Sequence, residues 1–166
     1  LCDRRQRQMC IRDSSLCKGI RLMNLLYCGD IGMEKGIGLS VLSLMNHIKE
    51  PLNIYVLTAG VVWKEKIYKP VSDAEILRIE KLLKRSDNRN SILKIDISEE
   101  FQKRLPEANM DTRFTPCCML RLYADQISSL PDRLLYLDTD VLCRGDLSEF
   151  YHQDMTEYEI AGTLDY

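Results

Sequence analysis

Leu135-Tyr136-Leu137-Asp138-Thr139-Asp140-Val141 is an apolar run that ends in two aspartates one residue apart. Such a run reads as a buried strand, and side chains on a strand alternate between its faces. Asp138 and Asp140 therefore point the same way if the extended geometry persists past Leu137. Two carboxylates at a strand's carboxyl end repel each other unless a positive group sits between them. A hard divalent cation, Mg²⁺ or Mn²⁺, fills that role and keeps positions open for phosphate oxygens. Open α/β sheets also place their ligands at the carboxyl ends of strands. The stretch thus points to a site for a metal ion and a diphosphate. A surface turn with two solvated aspartates is the plainer reading of a bare D-x-D, and the surroundings decide between the two.

Outward from that stretch, the chain alternates between two periods. Leu25-Leu26-Tyr27-Cys28 is a short apolar strand broken by Gly29-Asp30. Ile37, Val41, Leu44, Met45 and Ile48 share one helical face, and Pro51 ends that helix. Residues 52–58 read as a second strand, followed by Ala59-Gly60. Ser72-Asp73-Ala74-Glu75 is a capping box in front of the apolar stripe Ile76, Ile79, Leu82 and Leu83. Asp87-Asn88-Arg89-Asn90 is a turn, and residues 91–97 alternate into a third strand. Thr115-Pro116 starts another helix with Pro at its first position. Residues 133–137 form the fourth strand, and residues 159–164 a fifth. Strand, helix, strand, helix, strand, helix, strand is the α/β pattern. Trp63, His47 and His152 carry weak signals: His47 ends the first helix and reads as a surface or C-terminal cap residue, and His152 reads as a loop residue rather than a ligand.

Residues 4–14, Arg-Arg-Gln-Arg-Gln-Met-Cys-Ile-Arg-Asp-Ser, match the translation of a transposase sequencing adapter. A secretory signal would need an apolar stretch here, and there is none. Residues 1–14 are expected to take no part in the core, residues 1–22 to form a non-native leader, and Met23 to be the true start. The whole chain carries 23 Lys and Arg against 25 Asp and Glu, a net charge of −2. Residues 1–22 hold six of the basic and two of the acidic residues, so from Met23 the balance is 17 to 23, or −6. No basic patch argues for nucleic acid. Cys28, Cys117, Cys118 and Cys143 remain of the seven cysteines; they lack zinc-finger spacing and read as reduced, mostly buried thiols. No run approaches the ~18 apolar residues of a transmembrane segment. The length suits one domain, or part of one.

These pieces resemble glycosyltransferase family 8, which includes glycogenin and bacterial lipopolysaccharide galactosyl- and glucosyltransferases. The family's D-x-D follows a strand of the form L-Y-L-D-x-D, matched by residues 135–140. Its amino-terminal strand ends in an acidic nucleotide-binding loop, matched by Tyr27-Cys28-Gly29-Asp30. An Arg-Leu pair upstream of the D-x-D is matched by Arg121-Leu122, and a downstream small-residue run with an aspartate by Ala161-Gly162-Thr163-Leu164-Asp165. The resemblance implies a GT-A fold, an α/β/α sandwich with a Rossmann-like nucleotide-binding half, formed in part by residues 23–166. It implies a UDP-sugar donor, Mn²⁺ (or Mg²⁺) held by Asp138 and Asp140, and hexose transfer with retention to a glycan or lipopolysaccharide-type acceptor. Tyr27, Cys28, Gly29, Asp30, Arg121, Thr139 and Asp165 are the implied nucleotide-sugar contacts. Among them Asp30 would face uracil or ribose, Arg121 the donor's sugar or phosphates, and Asp165 sugar hydroxyls. No catalytic residue is assigned. The resemblance also implies a cytoplasmic protein, at most peripheral to the inner membrane face.

The chain departs from the family pattern in three places. Gly32 stands where many members carry Asn, and Met119 where an aromatic often precedes the motif arginine. The family's second half supplies a metal-ligand histidine and most of the acceptor pocket, and neither His47 nor His152 lies in a matching context. Residues 23–166 are therefore expected to be an incomplete domain that is inactive alone. A non-catalytic nucleotide-sugar-binding fragment is the competing reading. A haloacid-dehalogenase-type phosphatase also places D-x-D after an apolar strand, but it wants Thr or Val two residues beyond the second Asp, where this chain has Leu142, and its motif follows the first strand.

Overall fold

A computed structural model describes residues 21–107 and 115–162. The expectations for residues 1–14 and for Asp165 lie outside them. Four parallel strands form the central sheet: β1 (Met23–Gly29), β2 (Leu52–Thr58), β5 (Ser91–Asp96) and β6 (Leu135–Tyr136), in the spatial order β5-β2-β1-β6. Parallel strands buried on both faces read as near-continuous apolar runs, and β1 is buried along its length apart from Asn24. The β1–β2 register runs from Met23 opposite Leu52 to Gly29 opposite Thr58.

The alternation of β1 sorts its side chains into two cores. Met23, Leu25 and Tyr27 pack with Ile37, Val41 and Leu44 of α1 (Glu34–His47) and with Ile79 and Leu83 of α2 (Asp73–Ser86). Leu26 and Cys28 pack on the other face with Leu57, Phe101 of α3 (Ser98–Lys103), Cys117 and Leu120. The result is an α/β/α sandwich. Each fully buried aliphatic side chain contributes roughly 1.5–3 kcal/mol.

Polar groups at the element ends complete the frame. Ser72 caps α2 by accepting from the Glu75 amide at 3.3 Å. The reciprocal half of the capping box is replaced: Glu75 grips Arg78 at 2.8 and 2.5 Å, and the Ser72 amide donates to Glu34 Oε1 of α1 at 2.7 Å. Buried Asn90 accepts from the Leu52 amide at 2.8 Å and donates to Leu83 O at 3.1 Å, joining the end of α2 to the start of β2. At the other end of the sheet, buried Thr58 donates to Gly29 O at 2.7 Å and accepts from the Val71 amide at 2.9 Å.

The structure departs from the sequence expectations in four places. Residues 116–126 wind as a 3₁₀ helix (Pro116–Gln126) rather than an α-helix. The fourth strand contracts to Leu135–Tyr136, with one further ladder bond from the Leu137 amide to Leu26 O at 3.0 Å. A hairpin, β3 (Val61–Trp63) with β4 (Lys66–Tyr68), stands between β2 and α2. Residues 159–162 form no strand: they are exposed, Ile160 at 87%, with no ladder partner among the described residues, and residues 163–164 lie outside these. A last short helix, α4 (Ser148–Tyr151), returns to the amino end of the sheet, where Tyr151 Oη accepts from the Asn24 amide at 3.1 Å. Among the described residues no helix is long and apolar enough to cross a membrane.

Candidate nucleotide-sugar site

From β1 the chain moves outward through β2 to β5, then returns to the opposite side of β1 as β6. The loops leaving the carboxyl ends of β1 and β6 meet at this reversal and flank its crevice, the general ligand position of open α/β sheets. The two sequence signals meet here, because Gly29-Asp30 follows β1 and Asp138-Thr139-Asp140 follows β6.

The D-x-D segment is a turn, closed by the Val141 amide donating to Asp138 O at 3.1 Å. Extended geometry does not persist through residue 140, so strand alternation does not orient the two carboxylates. They are presented by a tight turn instead, and both residues are exposed. The turn is seated on the first turn of α1. A Cβ added at Gly36 would lie 2.4 Å from Thr139 O, so only glycine allows the approach. Thr139 Oγ1 also lies 3.4 Å from Met33 Sδ, and a Cβ at Gly29 would meet Met33 Cβ at 2.9 Å.

Asp30 is 6% exposed and caps a short 3₁₀ turn (Ile31–Met33), its Oδ1 accepting from the Gly32 amide at 2.7 Å. One oxygen of Asp30 and the Gly32 amide thus satisfy each other. Buried Cys117 lies close by: burial, then the Asp30 carboxylate, push its thiol far above the ordinary range. Tyr27 is a core residue, fully buried with its hydroxyl 2.8 Å from Ser40 Oγ, and burial raises its phenol to about 12. Cys28 is buried beneath Arg121 and Asp138; its thiol is pushed up to about 12, chiefly by burial. Their side chains support the crevice from below rather than opening into it.

Arg121 reaches the crevice from the 3₁₀ helix. Its guanidinium sits 5.2 Å above the Tyr136 ring, its Nε donates to Cys118 O at 3.0 Å, and its Nη1 is 3.9 Å from Asp138 Oδ1. The pair is 40% and 58% exposed, so it contributes at most about 1 kcal/mol. Burial and the bond to Asp138 push the Tyr136 phenol well above its usual range, so it stays a hydrogen-bond donor. Gly36 and Tyr136 shape this part of the structure and are positions that the sequence reading did not single out. A glycine inside a helical pattern, which costs about 1 kcal/mol against alanine, was the available signal for the first.

The donor chemistry fits a hard divalent cation, because Asp138 and Asp140 offer carboxylate oxygens at the open mouth of the crevice. Among the described residues no group of three or more His, Cys, Asp or Glu converges on one point. His47 ends α1 at the amino side of the sheet, and His152 pairs there with Glu50 at 2.7 Å. Neither belongs to the crevice.

A family model, glycosyl transferase family 8, matches residues 24–166. The chain is also 30% identical over 132 residues to the lipopolysaccharide 1,2-glucosyltransferase of Escherichia coli (strain K12), a match covering 78% of this chain and 35% of that protein. The chain thus spans about a third of that relative's length. Since the family match takes in all of the parallel sheet but its first residue, and both loops at its reversal, this α/β chain with a GT-A-like fold belongs to glycosyltransferase family 8.

Proposed function

We propose that the crevice between β1 and β6 binds the nucleotide-diphosphate part of a UDP-sugar, and that residues 23–166 are the amino-terminal part of a domain that moves a hexose from it to a glycan or lipopolysaccharide-type acceptor with retention of configuration. The observation that carries this reading is the convergence of the Asp138–Asp140 turn, Arg121 and Asp30 on the one topological reversal of the sheet. Asp138 and Asp140 would hold Mn²⁺ or Mg²⁺. Such a cation, when bound, neutralises charge on the diphosphate as the leaving group departs. The Arg121 fork suits phosphate or sugar oxygens and adds a second positive charge beside Asp138. Asp30, capped in its loop and set beside the Cys117 thiol, would accept from a donor on uracil or ribose. Thr139 contributes through its backbone, pinned against α1. Asp165, read from the sequence as a sugar-hydroxyl contact, lies outside the described residues.

Calorimetry with Mn²⁺ and UDP tests the site. Asp138→Asn and Asp140→Asn each remove a charged oxygen ligand and should abolish metal-dependent UDP binding. Unchanged binding in both variants would refute the assignment. The second reading, nucleotide-sugar binding without transfer, is favoured by the lack of a convergent three-ligand group among the described residues. It predicts Mn²⁺-dependent UDP binding with no hydrolysis of any UDP-hexose.

A further inference from the structure

Tyr136 stands between the two charged side chains of the crevice. Its hydroxyl donates to Asp138 Oδ1 at 2.5 Å, and its ring carries the Arg121 guanidinium at 5.2 Å. Arg121 Nη1 in turn lies 3.9 Å from the same Asp138 oxygen. The three groups close a triangle, and Tyr136 is its anchored corner. Its backbone is laddered opposite Leu26 of β1, and its ring packs into the core shared with Leu26, Cys28 and Leu120. Arg121 and Asp138 are both substantially exposed, and long or turn-borne side chains of that kind are mobile unless something holds them.

Resting on the nucleotide-site reading above, we propose that Tyr136 is the positioning residue of the crevice, aiming Asp138 through its hydroxyl and seating Arg121 on its ring. The hydroxyl holds Oδ1 of Asp138 and so fixes the carboxylate's orientation, while both oxygens keep lone pairs for a cation. The ring face attracts the guanidinium through its quadrupole and keeps it beside the carboxylate. Without the ring, Arg121 keeps, among the described residues, its bond to Cys118 O and its long contact with Asp138. The two functions reside in different atoms of one side chain, so they are separable. Phenylalanine keeps the platform and loses the aim, whereas leucine loses both.

The test compares wild type, Tyr136→Phe and Tyr136→Leu in the full chain, with three readouts. These are free Mn²⁺ by electron paramagnetic resonance titration, UDP binding in EDTA by calorimetry, and the melting temperature. Tyr136→Phe should weaken Mn²⁺ about 10–100-fold, the usual effect of removing a group that orients a metal-ligating carboxylate. It should leave metal-free UDP affinity within about twofold, because the ring still supports Arg121. Tyr136→Leu should weaken both. In an Asp138→Asn background, Tyr136→Phe should add nothing to the loss of Mn²⁺ binding. A purely structural tyrosine would instead show Mn²⁺ affinity unchanged in Tyr136→Phe, and that result overturns the inference whether or not Tyr136→Leu folds. If wild type binds no Mn²⁺, the nucleotide-site reading fails and takes the inference with it. Mn²⁺ binding in wild type that Tyr136→Phe leaves untouched sinks the inference alone.

Discussion

Replacing Gly36 by alanine should separate the stability of the fold from the competence of the crevice. The added Cβ would lie 2.4 Å from Thr139 O, about 1 Å short of ordinary contact, and the obstacle is backbone that cannot rotate away. Alanine gains up to about 1 kcal/mol of helix propensity over glycine. Overpacking against a fixed group costs typically 1–3 kcal/mol. The net expected change is a loss of between about 0 and 2 kcal/mol, relieved by a shift of the Asp138–Asp140 turn of roughly 1 Å. Displacements of that size cost a preorganised site up to about 100-fold, so Mn²⁺–UDP affinity should fall at least tenfold. Gly38→Ala is the matched control, two residues along the same helix. Its Cβ meets Arg78 Nη2 at 2.7 Å, the far end of a half-exposed side chain that swings aside. It should bind as wild type and melt at or above the wild-type temperature. Calorimetry with Mn²⁺–UDP and thermal denaturation of both variants decide the matter. Equal affinity in Gly36→Ala and Gly38→Ala would refute the claim that the helix sets the position of the turn.

Three further outcomes follow from other parts of the molecule. Asn90→Ala orphans the buried Leu52 amide, while the Leu83 carbonyl keeps its bond from the Asp87 amide, and should cost about 1–3 kcal/mol in urea unfolding; a change under about 0.5 kcal/mol would mean that solvent replaces the bond to Leu52. The Asp87 carboxyl is drawn down to about 2 by the Arg89 side chain and then its amide. Because the folded value is depressed below the ordinary 3.8, its contribution to stability is present above that pH and is lost as pH falls through about 2. Carbon-13 NMR should show Asp87 titrating near 2, moving back toward 3.8 in Arg89→Ala; an unmoved midpoint would dismiss Arg89 as the cause. Among Cys28, Cys117, Cys118 and Cys143, only Cys118 is not buried. Mass-mapped alkylation under native conditions should label it first, and equal labelling of Cys28 would contradict its burial.

The main strands and helices were readable in the chain because their signals are local, whereas the order of the strands was not. Short apolar runs such as residues 25–28 and 54–57, rich in strand-forming residues and bounded by turn residues, read as buried strands, and the stripe of α2 repeats at helical spacing. What stayed hidden depends on tertiary contact or on signals shared by two structures. Pro116 opens a 3₁₀ helix as readily as an α-helix, since both need a first residue with fixed φ and no amide. The β3–β4 hairpin turns at Lys64-Glu65 without glycine or asparagine, and Lys64 takes a left-handed φ of 54°. Asp138 and Asp140 announce themselves by composition. Gly36 and Tyr136 do not, because Gly36 matters through Thr139, over a hundred residues away, and Tyr136 through Arg121, which comes from a different element.

The wall of the crevice formed by β6 is fastened by very few local bonds. Two paired residues and the Leu137 amide hold it directly; beyond them, Asn24 is tied to Tyr151 across 127 residues of chain, and Arg133 grips Tyr151 O at 2.8 Å and Gln153 O at 2.9 Å. Closing so long a loop is costly in entropy and comes late in folding. We therefore expect β1, β2 and β5 to form a nucleus and the ligand crevice to be completed last, as a separately opening unit. In hydrogen exchange the Leu137 amide should open well before those of β1 and β2, and equal protection would speak against a separate unit. A nucleotide spanning β1 and β6 would then act as a clamp on the weakest seam of the domain, so that occupancy of the crevice and cohesion of the sheet rise and fall together.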